Sequence, residues 1–232
     1  MKKHHTLSAN LQRREILWGW GYLAFQYLAL PQILTWLQGT LPFRISDAEI
    51  NFCFFFLNFM AITVIFHSFL GKSAAPVRRH PIYFLQAVIL GLAAYYAGTR
   101  LFSLLICRID PNFVNVNDAS IADLTNGNFF LMALGVIVLV PPVEECLYRG
   151  LIFRVVDNTS RLAAYTLSVI AFCAIHVLGY LGSVTMGTLA LCFLQYIPAG
   201  LALAWAYTKA DTIYAPIVIH MIINAIGIFS MR

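Results

Sequence analysis

Three short patterns could carry chemistry: Glu144-Glu145-Cys146-Leu147-Tyr148-Arg149, Phe172-Cys173-Ala174-Ile175-His176 and His220-Met221-Ile222-Ile223-Asn224. Each lies inside a strongly apolar stretch, where ionisable side chains are costly and normally face a protein interior or a wet cavity. Glu145 and Arg149 are four residues apart, share a helix face and can neutralise each other. An ion pair that only locks helices together accounts for those two and leaves Glu144 over. Glu144 points about 100° away and has no sequence-local partner, so it is the candidate general base. Phe172 with His176, and His220 with Asn224, are also one turn apart on single faces. Alone, each histidine is more often an interhelical hydrogen bonder than a catalytic group.

The surrounding elements are membrane helices. Of the 232 residues 60% are hydrophobic and 11% charged, against about 25% charged in an ordinary soluble domain. Lipid is the solvent that this composition fits. Seven apolar segments are readable, at about 16–37, 50–70, 82–107, 129–156, 162–178, 187–208 and 212–230. Most approach the ~20 residues that cross the hydrocarbon layer. The first is too long for a signal-peptide core and lacks a small-x-small cleavage site, so it reads as an uncleaved anchor. The expected fold is all-α with about seven transmembrane helices, eight being the alternative, around a polar cavity. A tail and three spans fill 1–128 and the core helices fill 129–232, in one integrated domain. Pro141 and Pro142 remove backbone donors just before the acid pair, as expected where a helix distorts beside a cavity.

Charge placement sets orientation. Lys2, Lys3, Arg13, Arg14, Lys72, Arg78, Arg79, Arg154, Arg161 and Lys209 fall on one side. Arg44, Arg108 and Arg232 fall on the other, with loop acids that include Asp47, Asp110, Asp118 and Asp123. The N-terminus is therefore expected to be cytoplasmic. The formal charge of +5 forms no basic stripe interleaved with aromatics, so nucleic-acid binding is set aside. The five cysteines read as small apolar fillers. Cys173, three residues before His176, is a secondary candidate metal ligand. His4, His5, His67 and His80 sit in the tail or near the boundary and are assigned no role.

Depth brings the three patterns together. At about 1.5 Å per residue, Glu144 lies ~15 Å from Arg154, His176 ~22 Å from Arg161 and His220 ~14 Å from Asp211. One shared polar pocket is the economical arrangement.

Taken together, Glu144-Glu145-x-x-x-Arg149, Phe172-x-x-x-His176 and His220-x-x-x-Asn224 resemble the CAAX protease and bacteriocin-processing family, also called Abi. It includes the type II CAAX prenyl endopeptidases. The resemblance covers about 131–228. It implies an intramembrane endopeptidase that hydrolyses a peptide bond of a membrane-associated protein or peptide, in the bilayer of a bacterial cell. Glu144 would then take a proton from the attacking water, which His176 holds or relays. His220 and Asn224 would donate to the oxyanion, and Glu145, Arg149 and Phe172 would support the site, the first two by orienting Glu144. The favoured chemistry uses no cofactor. Zinc held by Glu144, His176 and His220 is the alternative. Two rivals remain: a non-proteolytic immunity or scaffold member of the same family, and a transporter, for which there is no inverted repeat.

Overall fold

The computed structural model describes residues 7–231 and is helical, with no strand among them. Lys2, Lys3, His4, His5 and Arg232, named above for charge or as histidines, lie outside the described residues.

The first apolar segment forms two helices, α1 (Arg13–Leu28) and α2 (Leu30–Thr40), in place of one continuous helix. The break at Ala29 follows from Pro31 at the start of α2, which has no backbone N–H and cannot sit inside a continuing helix. The second segment ends early. Helix α3 (Asp47–Ile65) is started by a capping box between Ser46 and Glu49, and the chain bends at Phe66 into α4 (His67–Arg79). Helix α4 carries Lys72, Arg78 and Arg79 and is amphipathic, so it suits a boundary better than a membrane core. Next come α5 (Pro81–Ile109), α6 (Val116–Gly127), α7 (Phe129–Asp157), α8 (Arg161–Leu178), α9 (Met186–Ala210) and α10 (Tyr214–Ser230). Helices α3, α5, α7, α8 and α9 are long and apolar enough to cross a membrane. Helix α10 is apolar but shorter, at 17 residues.

Between α5 and α7, where no apolar segment is readable, the chain forms helix α6. Asn115 caps it, its side-chain oxygen accepting from the N–H groups of Asn117 and Asp118. The cap turns Asp118, counted above among the loop acids, inward.

Helix α7 is the hub, and its second half, Cys146–Phe153, is buried on every side. Helix α9 packs along both α5 and α8. Two π-helical stretches, Leu134–Leu139 and Cys146–Phe153, flank the α-helical piece Val140–Glu145. Such widened turns concentrate at functional sites. Here the local cause is visible. Val140 donates its N–H to the Gly135 carbonyl, and the next donor that could reach Val136 is Pro141, which has none. The Val136 carbonyl is left to a side chain from another helix.

Close packing against this distorted stretch depends on Gly135. A Cβ there would lie 2.4 Å from Cδ2 of Phe55 on α3. Small residues at such positions let membrane helices approach. Gly135→Ala is expected to lower stability by about 1–3 kcal/mol, read as a drop in melting temperature in detergent. Gly71→Ala, where nothing lies within 4 Å, should cause no drop.

At one end, Arg154 gathers the N-terminal segment. It donates to the carbonyls of Ala9 (3.1 Å) and Leu7 (3.4 Å) and touches the Asn10 side chain. Ser8 N–H donates to Asp211 at 2.7 Å, and Lys72 to the Asn10 carbonyl at 3.3 Å. The N-terminus, α4, the end of α7 and the α9–α10 turn therefore share one end of the molecule.

Candidate active site

Glu144 and Glu145 are neighbours on α7 that face different surroundings, because consecutive helical residues point about 100° apart. Glu145 is fully buried. Its Oε1 accepts from Arg149 Nη1 at 3.0 Å and from His220 Nδ1 at 2.9 Å. Arg149, also fully buried, donates from Nη2 to the Gly200 carbonyl at 3.1 Å and lies 4.6 Å over the Phe172 ring. The carboxylate thus carries His220 from α10, and the guanidinium carries Phe172 and α9. Glu144 is partly open to a cavity, and its Oε2 accepts no hydrogen bond.

Both imidazoles have their Nδ1 committed. His176 Nδ1 lies 2.8 Å from the Phe172 carbonyl. A carbonyl only accepts, so Nδ1 carries the proton and Nε2 is the basic nitrogen. By the same reasoning His220 donates from Nδ1 to the Glu145 carboxylate. Phe172 is wedged between the two rings, 4.7 Å from His176 and 5.9 Å from His220. That position explains why an aromatic one turn before His176 matters. Asn224 donates from Nδ2 to Val136 at 2.8 Å, meeting the carbonyl that Pro141 leaves without a backbone donor. One amide hydrogen of Asn224 remains free for another acceptor.

Glu144, Phe172, His176, His220 and Asn224 all line one cavity of about 370 Å³, within the range of small-ligand pockets. Glu145 and Arg149 stand behind its wall. Gln26 and Thr99 also line the cavity beside Tyr27 and Tyr95, and in the same wall Glu144 Oε2 has no hydrogen-bond partner. An unpaired buried polar atom costs about 1–3 kcal/mol, so the cavity is built for polar contents.

The first three patterns account for only part of the wall. Tyr27 from α1, Asn58 from α3, Tyr95 from α5, Asp118 from α6 and Tyr196 from α9 also contribute. Their sequence signal was weak but present, in polar residues one turn apart inside apolar runs, such as Tyr95 with Thr99. Burial raises the Asp118 carboxyl above its ordinary range, although the Tyr196 hydroxyl bonded to it pulls the other way. Cys173 is buried and absent from the cavity wall.

Among the described residues, no three His, Cys, Asp or Glu side chains are gathered closely enough to hold one ion.

These features describe an integral membrane protein of helices with an acid and two imidazoles around one cavity. The family model described as Type II CAAX prenyl endopeptidase Rce1-like matches residues 126–226, which include all seven signature residues. Over that segment the chain is similar to the type II CAAX prenyl endopeptidases, in agreement with the resemblance carried by the three patterns. No curated protein and no solved structure matches the chain.

Proposed function

We propose that the protein is an intramembrane endopeptidase in which Glu144 activates water against a peptide bond of a membrane-associated substrate. The observation carrying this is the joint presence at one cavity of a carboxylate without a hydrogen bond on Oε2 and two imidazoles whose Nδ1 atoms are already engaged. Water oxygen attacks the carbonyl carbon while its proton passes to Glu144, with His176 Nε2 holding the water or relaying that proton. The tetrahedral oxyanion accepts from the second Asn224 N–H and from His220 Nε2–H. With Nδ1 already donating to Glu145, His220 offers that second donor when both ring nitrogens carry protons. Collapse returns the proton from Glu144 to the departing nitrogen, the C–N bond breaks, and an acid and an amine leave.

In the proposed topology the broken α1–α2 segment, α3, α5, α7, α8, α9 and α10 make seven crossings with a cytoplasmic N-terminus. The basic residues gathered with the N-terminal segment around Arg154 and α4 support that orientation.

Against a fluorogenic peptide library in detergent, His220→Ala and Asn224→Ala should each lower kcat by about 10²–10³-fold, with KM little changed. A chelator should leave the parent's rate intact. Variants that cleave as fast as the parent would remove the assigned roles. Zinc at one equivalent, with activity lost on chelation and regained on its return, would overturn the metal-free chemistry. A folded parent that cleaves nothing would favour the scaffold alternative.

A further inference from the structure

Helix α6 has no part in the three sequence patterns, yet it reaches the cavity through a connected polar cluster. Asp118 Oδ1 accepts from the Tyr196 hydroxyl at 2.9 Å, and Asn117 Nδ2 donates to the same hydroxyl oxygen at 3.0 Å. Asn115 Nδ2 donates to Gln195 Oε1 at 3.0 Å. The first turn of α6 thus clamps two successive residues of α9, and the phenol of Tyr196 is pinned as donor to one α6 side chain and acceptor from another.

The ring of Tyr196 covers His176. Their centroids are 4.2 Å apart with planes 29° from parallel, closer than the 4.7 Å between His176 and Phe172. One hydrogen bond at Nδ1 leaves an imidazole free to swing about that bond. A second aromatic face removes the swing, so Nε2 keeps its aim only while Tyr196 keeps its place. Asp118 also lies close enough for its charge to act on His176 directly, and Tyr95 of α5 and Cys192 of α9 face it as well. Glu144 and His220 are the other charged or titratable groups that His176 meets.

We propose that Asp118, acting through Tyr196, is a positioning residue that holds His176 in its working orientation. The proposal rests on His176 handling the proton of the attacking water, as above. It predicts a linked unit: the carboxylate matters because it fixes the phenol, and the phenol because its ring fixes the imidazole.

The test uses the full chain in detergent with Asp118→Asn, Tyr196→Phe, their double variant and Asp118→Glu. Tyr196→Phe keeps the ring and removes only the hydroxyl, so it remains informative if Asp118→Asn folds poorly. Each single variant should lower kcat by about 10- to 100-fold with KM within about twofold, and the double variant should be no worse than the poorer single, as coupled residues behave. Asp118→Glu should recover part of the rate. A second readout needs no peptidase activity: carbethoxylation of His176 by diethyl pyrocarbonate, followed by mass spectrometry, should run several-fold faster in both single variants. Losses that add in the double variant, or His176 reactivity equal to the parent's, would overturn the proposal. If the parent cleaves no peptide yet His176 reactivity rises in the variants, the coupling stands and the proteolytic reading falls. If the parent cleaves in a Glu144-dependent way and His176 reactivity is unchanged, only the coupling falls.

Discussion

Glu144→Gln is expected to lower kcat by at least about 10³-fold while leaving the melting temperature equal to or above that of the parent. General-base catalysis by a positioned side chain contributes typically 10²–10⁴-fold, and among the described residues no other carboxylate at the cavity is placed beside both imidazoles to replace the lost base in the proposed mechanism. Glutamine keeps the shape and volume, so neither cavity nor packing should change. The stability half of the expectation follows from Glu144 Oε2, which accepts no hydrogen bond. A carboxylate kept from water without partners costs stability, and a neutral amide costs less. A residue that harms the fold and serves the reaction should separate the two measurements in this way, whereas a structural residue would lose both. Steady-state rates on a cleaved peptide and thermal melts on the same preparation give the answer. Cleavage at the parent's rate by a folded Glu144→Gln protein would refute the proposed base.

Glu145→Gln should do the reverse, damaging the fold first. Glu145 and Arg149 are both wholly buried, and Glu145 Oε1 serves Arg149 and His220 at once. Removing one partner of a buried pair leaves an uncompensated charge, which costs about 3–5 kcal/mol. A marked fall in melting temperature and in folded yield is expected. The double variant Glu145→Gln with Arg149→Met removes both charges, and replacing a buried pair by apolar volume is often neutral. It should therefore regain much of the lost stability. Activity should not return with it, because His220 would still lack its carboxylate acceptor. A Glu145→Gln protein as stable as the parent would contradict the buried-pair account. A double variant with restored activity would contradict the role given to Glu145 in holding His220.

Much of this site was legible along the chain because its local half obeys the helical repeat. Glu145 with Arg149, Phe172 with His176 and His220 with Asn224 share faces simply by lying four residues apart, and acids inside an apolar run mark themselves by their cost. Pro141 and Pro142 likewise foretold a distorted α7. The break at Ala29 and the capped turn at Asn115 were also written locally, in Pro31 and in Asn115 itself, but long apolar runs and scattered loop acids masked them. What the tertiary structure decided was which face meets which. Glu145 reaches His220 across 75 residues, Asn224 reaches Val136 across 88, and Tyr196 reaches Asp118 across 78. A repeat of 3.6 residues states which side chains stand together on one helix. It carries no information on the rotation and depth at which helices dock, which follow from packing between their surfaces. For that reason the sequence named the acid, the two imidazoles and the amide, while only the packed helices assigned Glu145 to His220, Asn224 to the carbonyl left by Pro141, and Asp118 to the cavity.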